Sequence, residues 1–186
     1  MYTIRDATEA FFALDRVPPE KGAALDKTLR NLSQRVYMPP VGRSGRADTY
    51  SLETICALRL LHKASLFGLD RWQLEKLAQY LHVADSMAGD QTEKFSGGFR
   101  HLPPIEEAVQ RVRVGEVFNI GIAMLSDGTI KPFVDWRPLG ETEEIAEKGV
   151  ALLAGAGLQR LPQDAAFILP ASRLIGELIE VLDVAD

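Results

Sequence analysis

The chain has a single cysteine, Cys56, so no internal disulfide can form and a reducing compartment is expected. It has no apolar run approaching the roughly 18–20 residues that cross a bilayer, and no membrane partner is expected. The opening Met1-Tyr2-Thr3-Ile4-Arg5-Asp6 lacks the basic and apolar regions of a signal peptide, which makes the cytoplasm the expected location. There is no phosphate-loop, G-x-S-x-G or H-E-x-x-H motif. His62, His82 and His101 stand far apart and make no metal-ligand spacing with Cys56. The acidic cluster Glu141, Glu143, Glu144 and Glu147 opens a predicted helix, where the macrodipole favours it. No catalytic set emerges, so neither an enzyme nor a cofactor or metal is expected.

What the chain does have is an uneven charge. Its 186 residues carry a net charge of -5. Residues 1–82 hold 12 Lys+Arg against 9 Asp+Glu, and the remainder holds 9 against 17. A basic half joined to an acidic one suggests two jobs, the basic half meeting a polyanion.

The periodicity predicts helices wherever apolar residues recur at three and four. Thr3 with Asp6 forms a capping-box pattern ahead of Ala7, Ala10, Phe11 and Leu14. Pro18-Pro19 suits the first turn of a second helix through Leu25, Leu29 and Leu32, which must stop before Pro39-Pro40. Gly42 to Asp48 reads as a turn-rich loop. Ser51 caps a third helix with Leu52, Ile55, Cys56, Leu60 and Ala64 on one face, ended by Gly68. Asp70, with Gln73 three residues on, opens a fourth through Leu74, Leu77, Ala78 and Leu81. Residues 84–104 read as a linker. Beyond it come a short helix over Ile105–Val112 and a hairpin, Val117–Leu125 with Ile130–Trp136, about the turn Ser-Asp-Gly-Thr. A helix over Glu141–Leu153, a strand over Ala165–Leu169 and a closing helix from Pro170 to Val184 follow. Cys56 is expected in the core, His62 and His82 on helix surfaces, Trp72 as core or an inter-helix brace, and Trp136 in packing.

The stretch from Leu25 to Ile55 concentrates the positive charge. Lys27, Arg30, Arg35, Arg43 and Arg46 lie between Asp26 and Asp48 with no acid among them. Lys27, Arg30, Asn31 and Gln34 fall on one helical face, opposite Leu25, Leu29 and Leu32. Such a face offers cations for phosphates, and Arg, Asn and Gln for base edges. The loop after it, with Arg43, Ser44 and Arg46 among glycines, suits a phosphate backbone or a narrow minor groove.

Residues 2–82 resemble the DNA-binding domain of MerR-type regulators, a winged helix-turn-helix fold. "YTIRDA" resembles the family's opening helix and "KTLRNLSQRVYMPP" its recognition helix with the prolines leading out. "GRSGRADTYSLETI" resembles the wing and the entry to the third helix, and "LRLLHKASLFGLD" with "RWQLEKL" the third and fourth helices. The resemblance implies DNA contacts by Lys27, Thr28, Arg30 and Asn31 from the helix and by Arg43 and Arg46 from the wing. Gln34, Arg35 and Ser44 complete the candidate set. The sequence departs from the family in a longer stretch from Arg16 to Leu25, in Asn31-Leu32 where the family has an aromatic pair, and in the 84–104 segment where it has a long coiled coil.

The expected architecture is therefore α+β: a winged helix-turn-helix domain over 1–83, a linker over 84–104, and a small acidic α/β domain with a β-hairpin over 105–186. The expected function is sequence-specific binding of double-stranded DNA by a transcriptional regulator, as a homodimer, with RNA polymerase or another transcription protein as a further partner. The alternatives are an excisionase-like DNA-architectural or recombination accessory factor, and an adaptor that binds an acidic protein rather than DNA.

Overall fold

A computed structural model describes residues 1–83, 102–136 and 162–184. The protein is α+β, with six α-helices and two small antiparallel sheets among the described residues. In chain order these are α1 (Ile4–Leu14), α2 (Gly22–Arg35), β1 (Gly42–Ser44), β2 (Ala47–Thr49), α3 (Leu52–Leu66) and α4 (Arg71–His82). They are followed by α5 (Pro104–Arg113), β3 (Ile120–Leu125), β4 (Ile130–Val134), β5 (Gln163–Leu169) and α6 (Ala171–Asp183). None of these helices is long and apolar enough to cross a membrane. The helix expected over Glu141–Leu153, its acidic cluster, His101 and nearly all of the 84–104 linker lie outside the described residues.

Local chemistry sets the helix ends. Thr3 and Asp6 form a full capping box on α1, each side chain bonding the other's backbone N–H. Asp70 and Gln73 do the same for α4. Ser51 Oγ accepts from the Thr54 amide at the start of α3, and Gly68, at φ 101°, takes the left-handed conformation after its end. The predicted proline start of α2 is a single 3-10 turn, Pro19–Lys21, so the α-helix proper begins at Gly22.

The third helix was expected to show one apolar face. Every residue from Thr54 to His62 is buried, on all sides of α3, including Arg59 and His62. A helix buried all round must be surrounded. Accordingly α3 contacts α2, α4, α5, α6 and β5. His62 is thus a core residue stacked on Phe11, not the surface group its polarity suggested, and His82 is largely enclosed too. Cys56 is fully buried, as expected. Trp72 is no core residue: it lies exposed at the start of α4 with Lys76 over its ring.

Asp15, which caps the C-terminus of α1, ties that helix to α3. Its carboxylate accepts from both terminal nitrogens of Arg59, at 2.7 and 2.6 Å, and from Lys63 Nζ at 2.6 Å. Burial pushes the Asp15 carboxyl up, but the hydrogen bonds and charge of the two cations outweigh it and hold the group below its ordinary value. The hairpin β3–β4 turns at Ser126–Thr129, and β5 pairs with the other edge of β3, giving the sheet order β4-β3-β5. Trp136 packs edge-on against Phe118, with Arg111 over its ring.

One cluster of buried residues runs through both sides of the 84–104 segment. Phe11, Leu29, Ile55 and Leu77 belong to it, and so do Ile105, Ile120, Ile175 and Leu178. α6 contacts α1 and α3 directly, and α5 contacts α3 and α4. Among the described residues the two expected domains share a core.

Candidate nucleic-acid interface

The amphipathic pattern of α2 fixes which way its polar residues face. Leu25, Leu29 and Leu32 are buried, and the helix packs on α1 and α3. Lys27, Thr28, Arg30, Asn31, Gln34 and Arg35 are all exposed, on the turns between those leucines. Arg43 and Ser44 are exposed on β1, and Arg46 is exposed in the turn that follows. All nine sequence-predicted residues therefore reach solvent, as any DNA contact requires.

The stretch expected as a flexible loop is a short hairpin. Gly42 pairs with Thr49, Arg43 with Asp48 and Ser44 with Ala47, leaving Gly45-Arg46 as the two-residue turn. Gly45 has φ 61°, the positive value that a glycine-first hairpin turn demands. Tyr50 anchors the base: it exchanges backbone hydrogen bonds with Tyr2, at 3.0 and 2.8 Å. Burial pushes the Tyr50 phenol above its ordinary pKa. One tyrosine thus joins the hairpin to the N-terminal segment.

Two acids bracket the basic stretch, and each holds one arginine. Asp26 accepts from Arg30 Nε at 2.6 Å and from its second nitrogen at 3.2 Å, with Thr8 also donating to it. The Arg30 hydrogen bond holds the Asp26 carboxyl below its ordinary value. Asp48 accepts from Arg43 Nε at 3.0 Å across the hairpin. Lys27, Arg35 and Arg46 have no ion-pair partner among the described residues. Both pairs are solvent-exposed i,i+4 or cross-strand contacts of the kind worth a few tenths of a kcal/mol to about 1 kcal/mol, so a phosphate can displace them.

A depression of about 280 Å³ gathers Thr28, Asn31 and Arg35 of α2 with Ser65 and Arg71. Arg71 is the cation that sequence reasoning missed. It is the first residue of α4, 36 positions beyond Arg35, and no periodicity links the two. Arg43, Ser44 and Arg46 do not line this depression. Among the described residues no group of three His, Cys, Asp or Glu side chains converges to hold a metal ion.

No protein-family model, no curated protein and no solved structure matches the chain.

Proposed function

We propose that the α2 face and the β1–β2 hairpin bind double-stranded DNA, and that the protein is a sequence-specific transcriptional regulator of MerR-like, winged helix-turn-helix type. The observation that carries this reading is the element order helix, helix, basic hairpin, helix, with all nine candidate side chains exposed and the hairpin base bonded to Tyr2 ahead of α1. In this reading α2 enters the major groove, where Arg30, Asn31 and Gln34 meet base edges and Lys27, Thr28 and Arg35 meet phosphates. Arg43, Ser44 and Arg46 grip the flanking backbone. Arg30 is released from Asp26, or held by it in a fixed orientation toward a guanine edge. A homodimer reading two half-sites, with RNA polymerase or another transcription protein as a further partner, belongs to the same proposal.

Selection of bound duplexes from a random pool, followed by titration of the selected and scrambled sequences, tests it. A recovered consensus, bound more tightly than its scramble with the preference lost in Arg30→Ala, supports the reading. Recovery of no consensus, with duplex binding absent at low salt, overturns it and leaves the acidic-partner adaptor. Strong bending of the duplex without any effect on transcription favours the architectural alternative.

A further inference from the structure

A second concave site lies away from the α2 face. A cleft of about 840 Å³ opens between the end of α1, α3, β5 and α6. Its volume falls within the roughly 300–1,000 Å³ typical of small-molecule sites. Apolar side chains form part of its wall: Leu14, Phe67, Phe167, Leu169 and Leu174 line it. Phe67 is 77% exposed and Leu66 66% exposed, and the Phe67 and Phe167 rings lie 4.9 Å apart. Large apolar side chains left in water around one concavity mark a contact site.

The charged lining tells which kind of ligand fits. Arg59, Lys63 and Arg173 face Asp15 and Glu177, an excess of one positive charge. The Asp15 carboxylate already accepts three bonds from Arg59 and Lys63. Lys63 Nζ carries three donors and makes one hydrogen bond, to Asp15. Arg173 has only a long 3.4 Å contact to Glu177, on an exposed turn of α6. A ligand cation would meet an Asp15 already paired with two cations, and a lining that holds more cations than acids. A neutral ligand would leave unused the two remaining Lys63 donors and the excess positive charge of the lining. An acid group answers both the spare donors and the excess charge.

We propose that this cleft binds a small organic anion with an apolar or aromatic body, its acid group held by Lys63 and Arg173 and its body against Phe67 and Phe167. The site is independent of the DNA-binding reading, and its test needs no DNA.

Fluorescence titration of the full chain with two probes of like shape separates charge from apolar contact: anilinonaphthalene sulfonate, an anion, and phenylnaphthylamine, its neutral counterpart. The sulfonate should bind saturably at one site and more tightly than the amine. Lys63→Gln should weaken the sulfonate about tenfold, the loss expected for one charge-assisted hydrogen bond, and leave the amine unchanged. Phe67→Ser, at an exposed position, should weaken both probes while the far-UV circular dichroism stays that of the wild type. Arg173→Gln, also exposed, stands in for Lys63→Gln if loss of the Asp15 contact unfolds the chain. Absence of saturable binding overturns the proposal, as does binding that survives these substitutions or an equal loss of both probes in a folded charge variant. Self-association that Phe67→Ser abolishes, without probe binding, would assign the patch to a second copy of the chain and likewise overturn it.

Discussion

Asp26 sits on the same helix face that is proposed to read bases, and its carboxylate holds Arg30 at 2.6 Å. Removing that acid should therefore act oppositely to removing the arginine. Asp26→Asn is expected to tighten binding to cognate and scrambled duplexes alike, because it deletes a negative charge facing phosphates and frees Arg30. Arg30→Ala is expected to weaken cognate binding by about 1–3 kcal/mol and to flatten the preference over scrambled DNA. Neither should move stability by more than about 1 kcal/mol, since the pair is solvent-exposed. Parallel anisotropy titrations and melts check all three statements, and equal cognate affinity in Arg30→Ala removes that residue from the reading surface. The histidines give a residue-scale pH dependence. Burial lowers the pKa of His62 and of His82 from 6.5 to about 4. As pH falls from about 6.5 to about 4, protons bind the unfolded chain before the folded one, and stability is lost across that window. Above it the contribution is fully present. His62→Phe, which keeps a ring against Phe11, should flatten that part of the stability profile. An unchanged slope between those pH values in denaturant titrations would contradict the buried, neutral state of His62.

The elements were legible to the extent that their signals are local. Capping boxes at Thr3/Asp6 and Asp70/Gln73, the glycine after α3 and the Ser-Asp-Gly-Thr turn each fall within a few residues, and each is present. The β1–β2 hairpin was not legible as strands, because Gly-Arg-Ser and Ala-Asp-Thr carry no apolar alternation; backbone pairing and the Arg43–Asp48 pair hold them. The burial of Arg59 was hidden because its partner Asp15 is 44 residues away. Arg71 was missed for the same reason, since only the packed helices bring it to Arg35. The all-round apolar character of α3 was readable: Ala57, Leu58 and Leu61 lie off the face formed by Ile55, Cys56 and Leu60. At this scale Gly121 in the central strand β3 gives a sharp test. A Cβ there would meet the Phe167 carbonyl oxygen at 2.4 Å and the Phe133 ring at 2.7 Å. The first neighbour is strand backbone and cannot swing away. Gly121→Ala should therefore cost about 1–3 kcal/mol by overpacking, read as a lower denaturant midpoint. Wild-type stability in that variant would mean that the β4-β3-β5 sheet does not hold this close approach.

At the scale of the whole molecule, α3 lies in a core that both halves of the chain complete. A fragment ending at residue 83 would lose the α5 and α6 contacts to α1, α3 and α4. Ile105, Ile175 and Leu178 are buried in the same cluster as Ile55 and Leu77, so their removal exposes apolar surface at roughly 25 cal/mol per Å². The fragment is expected to melt well below the full chain, or without cooperativity; an equal melting temperature would restore the independent 1–83 domain expected from the sequence. The charge asymmetry also bears on the proposed DNA binding at this scale, because an acidic half would limit long-range attraction to DNA and leave binding to the local α2 and hairpin cations. The most direct test of the account is the salt dependence of duplex binding by wild type and by the double variant Arg43→Ala/Arg46→Ala. Both arginines are exposed on the hairpin, and Asp48 offers Arg43 only an exposed pair to give up. The account predicts that the wild type binds duplex with a falling log affinity in log salt, and that the double variant lowers that slope by roughly 2, with similar losses on cognate and scrambled sequences. Binding with an unchanged slope, or no duplex binding by the wild type at low salt, would contradict it.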